Sequence, residues 1–296
     1  MQEPRTILVP VDFSTHSRAA AIRACDLALA SGSTVRLIHA LELPAVAKRE
    51  GVAEHLWDDL RRSERRKLDE LMGDLMHRGA PLSRLLEERE PVEMIEEQAA
   101  SESVEMIVMG THGYRGVDRM FLGSVAERTI RIAKVPVLTV KESDWDAAAK
   151  IRRILLATDF SQDSERAVGV TIEWARHLQA DVEVFHAIQG APREPEGESD
   201  ATPTGDPNDS RERSLVGLQK ILSQMLAAGV PASAELSYGP AAVEISKRAK
   251  HSRANLVIMG RHGTSRIRDV VCGSVSSRVL RQVKCSVLLV PDSDAS

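Results

Sequence analysis

The sequence predicts an α/β protein made of two parallel-sheet domains in tandem, and three observations carry that prediction. Short apolar runs alternate with longer helical stretches along the whole chain. The alternation is written twice, with matching landmarks 147 to 150 residues apart. Each copy also places the same glycine-rich sequence directly after its fourth apolar run. Strands that are continuous apolar runs, separated by helices, belong to mostly parallel sheets covered on both faces.

The repeat fixes the architecture. Ile7-Leu8-Val9-Pro10-Val11-Asp12-Phe13-Ser14 aligns with Ile154-Leu155-Leu156-Ala157-Thr158-Asp159-Phe160-Ser161 at an offset of 147. Leu37-Ile38-His39-Ala40 aligns with Val184-Phe185-His186-Ala187 at the same offset. The glycine motifs and the closing runs, Val137-Leu138-Thr139-Val140 and Val287-Leu288-Leu289-Val290, align at 150. A net three-residue insertion therefore lies between the second and fourth strands of the second copy. The domains are expected at 1–143 and 151–296, with a linker at 144–150 inside the charged, Ala-rich stretch Lys141 to Lys150.

In the first copy, strands are expected near 5–11, 34–41, 82–88, 105–109 and 136–140. Helices are expected near 15–31, 53–78, 91–102 and 122–134. Ser14 or Thr15 can cap the first helix, and Pro91 suits the first turn of the third. The run Arg61-Arg62-Ser63-Glu64-Arg65-Arg66 reads as a solvated helix face. Residues 189–209 are polar, rich in Pro and Gly and aperiodic, which reads as a surface loop.

Composition excludes several classes of function. The chain has 296 residues, 43% hydrophobic and 28% charged, as in ordinary globular proteins. Net charge is −4, divided as −5 over residues 1–146 and +1 over 147–296, so neither half suits nucleic acid as its main partner. Aromatic residues at 3% leave little for stacking unpaired bases. No apolar run reaches membrane-spanning length, and Met1-Gln2-Glu3-Pro4-Arg5 lacks the pattern of a signal peptide. Cys25, Cys272 and Cys285 form no CxxC and cannot all pair, so a reduced cytoplasmic setting is expected.

The glycine-rich stretch points to phosphate. Gly110-Thr111-His112-Gly113 is followed nine residues later by Gly123-Ser124, and Gly260-Arg261-His262-Gly263 likewise by Gly273-Ser274. A buried strand leading into such a loop, with a small residue opening a helix, offers backbone N–H groups and a positive helix end to an anion. No Gly-Lys pair occurs, so a Walker A lysine is absent, and no two glycines stand one residue apart, so GxGxxG is absent. Without that lysine or an evident base, fast phosphoryl transfer lacks its usual parts.

GxHG, nine residues and then GS resembles the nucleotide-binding signature of the universal stress proteins, here present twice. The resemblance implies two flavodoxin-like (Rossmann-like) domains with strand order 3-2-1-4-5 and a ligand crevice at the switch point between strands 1 and 4. It implies ATP, with Mg as a possible companion, and a ligand-controlled stress regulator or scaffold. A slow ATP hydrolase and a ligand-free interaction scaffold are the alternatives. The implied nucleotide set in the first copy is Pro10, Asp12, Ala40, Met109, Gly110, His112, Gly113, Gly123, Ser124 and Val125. In the second it is Asp159, Ala187, Met259, Gly260, Arg261, His262, Gly263, Gly273, Ser274 and Val275. No catalytic or metal-ligating residue is expected.

Several of these residues have a second reading. Asp12 and Asp159 sit beside the nucleoside in the resemblance; as plain sequence they equally suit Asx-type bonding at a helix start. His112 and His262 are expected to touch ligand or loop backbone, with no carboxylate, Cys or His at ligand spacing within the loop. His39 and His186 are expected to serve packing and local hydrogen bonds, and Cys272, beside Gly273, reads as an inert small residue or a redox-sensitive thiol at the mouth of the site. Arg261 either adds a charge-assisted contact to phosphate or points into solvent. A side chain at Gly123 or Gly273 is expected to forbid the backbone conformation or to fill the phosphate space. The two halves are expected to pair as a pseudo-twofold dimer through their last strands, and a homodimer of the whole chain is compatible with this.

Overall fold

The computed structural model describes residues 5–42, 54–101, 103–111, 122–141, 150–189, 207–263 and 273–292. The chain divides into two compact units, Met1–Ala149 and Lys150–Asp294. Of the linker expected at 144–150, all but Lys150 lies outside the described residues.

In the first unit the order is β1 (Thr6–Pro10), α1 (Thr15–Ser31), β2 (Thr34–Ala40), α2 (Glu54–Met76), β3 (Leu82–Glu87), α3 (Pro91–Ala99), β4 (Val104–Gly110), α4 (Ser124–Ile132) and β5 (Val137–Val140). Its strands lie in the order β3-β2-β1-β4-β5, every neighbouring pair parallel. The second unit runs β6 (Arg153–Ala157), α5 (Gln162–Leu178), β7 (Asp181–Ile188), α6 (Pro207–Ala227), β8 (Ala232–Tyr238), α7 (Ala241–His251), β9 (Leu256–Gly260), α8 (Ser274–Gln282) and β10 (Ser286–Val290). Its order, β8-β7-β6-β9-β10, is again all parallel and again 3-2-1-4-5 in its own count.

The strands at the sheet centres are apolar throughout because helices cover both faces. Ile7, Leu8, Val9, Leu155 and Leu156 are completely buried. Local chemistry sets the helix ends. Ser14 and Ser161 cap α1 and α5, each hydroxyl accepting from the N–H three residues on, at 3.1 and 3.3 Å. Pro91 opens α3, behind Glu90 as cap. After α2 and α6 the chain reverses at Gly79 and Gly229, with φ of +83° and +74°, a region glycine enters without a Cβ penalty.

The charged face of α2 is solvated as expected except at Glu64, whose side chain is turned inward and is 12% exposed. Arg61 pairs with Asp58 and Glu88, Arg62 with Asp59, and Arg61 lies over Trp57. Exposed pairs of this kind contribute little to stability. One boundary differs from the sequence reading. Helix α6 starts at Pro207, inside the stretch 189–209 assigned to loop; residues 190–206 lie outside the described residues. Proline without its N–H is at home in a first helical turn, so composition alone hid that start.

Candidate functional site

At the carboxyl end of β1 the chain turns into α1 through Asp12-Phe13-Ser14. Asp12 Oδ1 accepts from the Ser14 N–H at 3.1 Å and from its hydroxyl at 2.6 Å. Asp159 Oδ1 repeats both contacts with Ser161, at 3.1 and 2.5 Å. The carboxylates therefore make the Asx-type turn, while the serines are the caps. Between them, Phe13 and Phe160 adopt φ of 62° and 60°, left-handed values that are costly for an aromatic residue. This conformation lays each ring against a histidine, His39 or His186, with centroids 4.5 Å apart.

Those histidines stand near the ends of β2 and β7 and reach across to the turn of their own half. His39 Nδ1 donates to the Val11 carbonyl at 2.7 Å, and His186 Nδ1 to that of Thr158 at 2.8 Å. Their role is local hydrogen bonding and packing, as expected. Burial holds the His186 pKa below the ordinary histidine value, against the Thr158 carbonyl and the Asp159 charge. Ala40 and Ala187 follow directly, in register with Glu87 and Ser237 of the neighbouring strands. Behind the rings the copies differ. Glu64 of α2 places Oε2 3.5 Å from His39 Nε2, and Lys67 stands 5.7 Å from the Phe13 ring. The equivalent positions in α6 are Ser214 and Gly217, and the Phe160 ring fills the space a side chain at 217 would need, a Cβ there lying 2.7 Å from Cδ1.

The glycine loops leave β4 and β9 beside these turns. A Cβ at Gly110 would lie 2.8 Å from the backbone carbon of His16, so β4 ends pressed against the first turn of α1. A Cβ at Gly263 would lie 2.5 Å from Asp159 Oδ2, so the second loop runs directly over that carboxylate. The loops return to the sheet through Gly123 N–H to the Thr111 carbonyl at 2.9 Å, and Gly273 N–H to the Arg261 carbonyl at 3.1 Å. Gly123 and Gly273 are the caps of α4 and α8, and neither provides a side-chain cap bond. Thus α1 and α5 begin sealed by serine, whereas α4 and α8 begin with no acceptor from their cap side chain.

Gly123 and Gly273 need no unusual backbone, since their φ values are −60° and −51°. The expectation that a side chain would forbid the conformation is corrected accordingly. What remains at Gly273 is space, with a Cβ 3.2 Å from the Arg261 carbonyl oxygen. Ser124 and Ser274 are exposed and Pro10, Val125 and Val275 half-buried, while Met109 and Met259 are buried in the sheet. His112, Gly113 and Cys272 lie outside the described residues. Among the described thiols, burial pushes Cys25 up to about 11, which makes it inert.

The structure adds a group that sequence reasoning missed. Asp292, just beyond β10, accepts from His262 Nδ1 at 2.8 Å and lies 3.8 Å from the Arg261 guanidinium. The Arg261 side chain is only 7% exposed, so it is neither a solvent arginine nor directed outward. Ser276, on the first turn of α8, donates to the Arg261 carbonyl at 2.9 Å. Spacing within the loop gave no signal for these partners, because they come from 15 and 30 residues further on.

The fold defines a tandem of doubly wound α/β domains, and each glycine-rich stretch stands at the carboxyl ends of the strands beside its switch point. The chain belongs to the universal stress protein family, which matches residues 3–141 and 150–291. A universal stress protein of Thermus aquaticus is 34% identical over 138 residues, covering 46% of this chain and 98% of its own. One from Mycolicibacterium smegmatis is 28% identical over 192 residues, 64% of this chain, and the match spans 63% of that relative's length. The crystal structure of a universal stress protein from Archaeoglobus fulgidus has the same fold, with TM-score 0.73 at 21% identity, covering 98% of this chain and 97% of that one.

Proposed function

We propose that each half binds one adenine nucleotide and that the chain serves as a ligand-controlled regulator or scaffold in a stress response. The observation that carries this reading is the paired start of α4 and α8 at the switch points, each behind a glycine cap with no side-chain bond. Helix-start N–H groups and the Ser124 and Ser274 hydroxyls suit phosphate oxygens. Asp12 and Asp159, at the ends of β1 and β6, stand where a carboxylate accepts from ribose hydroxyls. The backbone beyond His39 and His186, at Ala40 and Ala187, faces the base edge. The remaining assigned contacts are Pro10, Met109, Gly110, His112, Gly113, Gly123 and Val125, then Met259, Gly260, Arg261, His262, Gly263, Gly273 and Val275.

Among the described residues no group of three or more His, Cys, Asp and Glu side chains is placed to hold a metal. Magnesium arriving with ATP would keep phosphate and water oxygens as its main ligands, its usual preference. The halves pair in this reading through β5 and β10, the apolar last strands of each unit's own order. No described helix is long and apolar enough to cross a membrane. A cytoplasmic place of action is part of the same proposal.

Mass spectrometry of small molecules released on denaturing freshly purified protein tests the reading. Adenine nucleotide at up to two per chain is expected. Absence of nucleotide there, together with no heat signal on titrating ATP, would remove it.

A further inference from the structure

We propose that Asp292 is a positioning residue of the second nucleotide site, acting through His262 and Arg261; the proposal rests on the phosphate-loop reading above. The loop after β9 starts stitched to the last strand, Arg261 N–H donating to the Val290 carbonyl at 2.8 Å. Two residues later Asp292 turns its carboxylate back onto the loop. Oδ2 takes the His262 Nδ1 contact at 2.8 Å and stands 3.8 Å from Arg261 Nη2. Oδ1 is buried with no hydrogen-bond partner among the described residues. The chain at this point is itself pinned, because Arg166 of α5 donates to the carbonyl oxygens of Pro291 and Asp292, at 3.4 and 3.1 Å.

Three consequences follow from that geometry. An ionised carboxylate only accepts, so His262 carries a proton on Nδ1. The imidazole plane is thereby fixed, and with it the backbone of Arg261, His262 and Gly263, the segment that lies over Asp159. A carboxylate beside a guanidinium that is almost wholly buried also keeps that cation directed toward β10. The backbone from Arg261 to Gly263 is then held in place before any ligand arrives, and preorganised groups bind without a cost of ordering them. The first half has Thr111 where the second has Arg261, so the guanidinium part of this clasp belongs to the second site.

The test uses the full chain with Asp292→Asn, Asp292→Glu and Arg261→Thr, and two readouts. ATP calorimetry on each variant is expected to show one of two sites weakened roughly tenfold by Asp292→Asn, about the worth of one charge-assisted hydrogen bond. The other site is expected to be unchanged, and Asp292→Glu to recover part of the loss. Combining Asp292→Asn with Arg261→Thr should cost less than the two losses added. Without nucleotide, nitrogen-15 NMR should show the His262 ring and the Gly263 amide shifted by Asp292→Asn. An equal fall at both sites, full affinity in Asp292→Asn, or unmoved loop resonances would each overturn the proposal. A wild-type chain that takes no nucleotide sinks the nucleotide reading instead, and the loop resonances then judge Asp292 alone.

Discussion

The two halves share one backbone plan and differ in what stands behind it. Each has the Asp–Ser turn, a left-handed phenylalanine, a histidine tied to the carbonyl before the turn, and a loop closing on a glycine-capped helix. In the first half that plan is backed by charge, with Glu64 beside His39 and Lys67 beside Phe13. In the second it is backed by close packing, with Phe160 seated on Gly217 and the loop held by Asp292 and Ser276. The difference teaches that the parts facing the crevice are backbone and short side chains, so the supports can change without moving them.

The largest effect is expected where backbone meets backbone. Gly110→Ala puts a methyl 2.8 Å from the His16 backbone and should destabilise the first half by about 3 kcal/mol, the upper end for overpacking. Amide hydrogen exchange should show the loss in β1, β4 and α1, and full protection there would refute the steric reading.

Next comes the pair of supports. Gly217→Ala should cost about 1–3 kcal/mol because the methyl meets the Phe160 ring, although alanine is the better helix former by about 1 kcal/mol. Lys67→Ala at the equivalent place should stay within about 0.5 kcal/mol. Urea titration of both variants measures the contrast. Equal effects would show that the copies are supported alike after all.

A smaller effect should be the same in both halves. Asp12→Ala and Asp159→Ala each remove two hydrogen bonds at a helix start and should each lose about 1–2 kcal/mol. A loss confined to one copy would break the claim of a common turn.

The smallest effect depends on pH. Burial favours the neutral His186 ring, so the folded chain binds that proton more weakly than the unfolded chain. Its contribution to stability is complete above the ordinary value of 6.5 and is lost as pH falls through the lower folded value. His186→Asn keeps a donor for the Thr158 carbonyl and should flatten that part of the urea-midpoint profile below pH 6.5. A profile identical to wild type would assign the titration elsewhere.

Much of this was legible in the sequence, for physical reasons that differ by residue. The strands were readable because a doubly covered sheet demands continuous apolar runs, and the cap at Ser14 or Thr15 and Pro91 were readable because helix starts select those residues. The left-handed Phe13 and Phe160 were not, since nothing in an aromatic residue announces a conformation that tertiary packing imposes on it. Gly217 left a trace, as a glycine inside a helix, but its partner Phe160 lies 57 positions away in the chain. Asp292 left none. An acidic residue after a last strand looks like a solvated end, and only the fold brings it to His262.

Equilibrium dialysis of the full chain against labelled ATP, counting nucleotide bound per chain at saturation, tests the central claim most directly. The account predicts two per chain, falling to one when Gly263→Ala drives a methyl to 2.5 Å from Asp159 Oδ2. No bound nucleotide in wild type, or two still bound in Gly263→Ala, would contradict it.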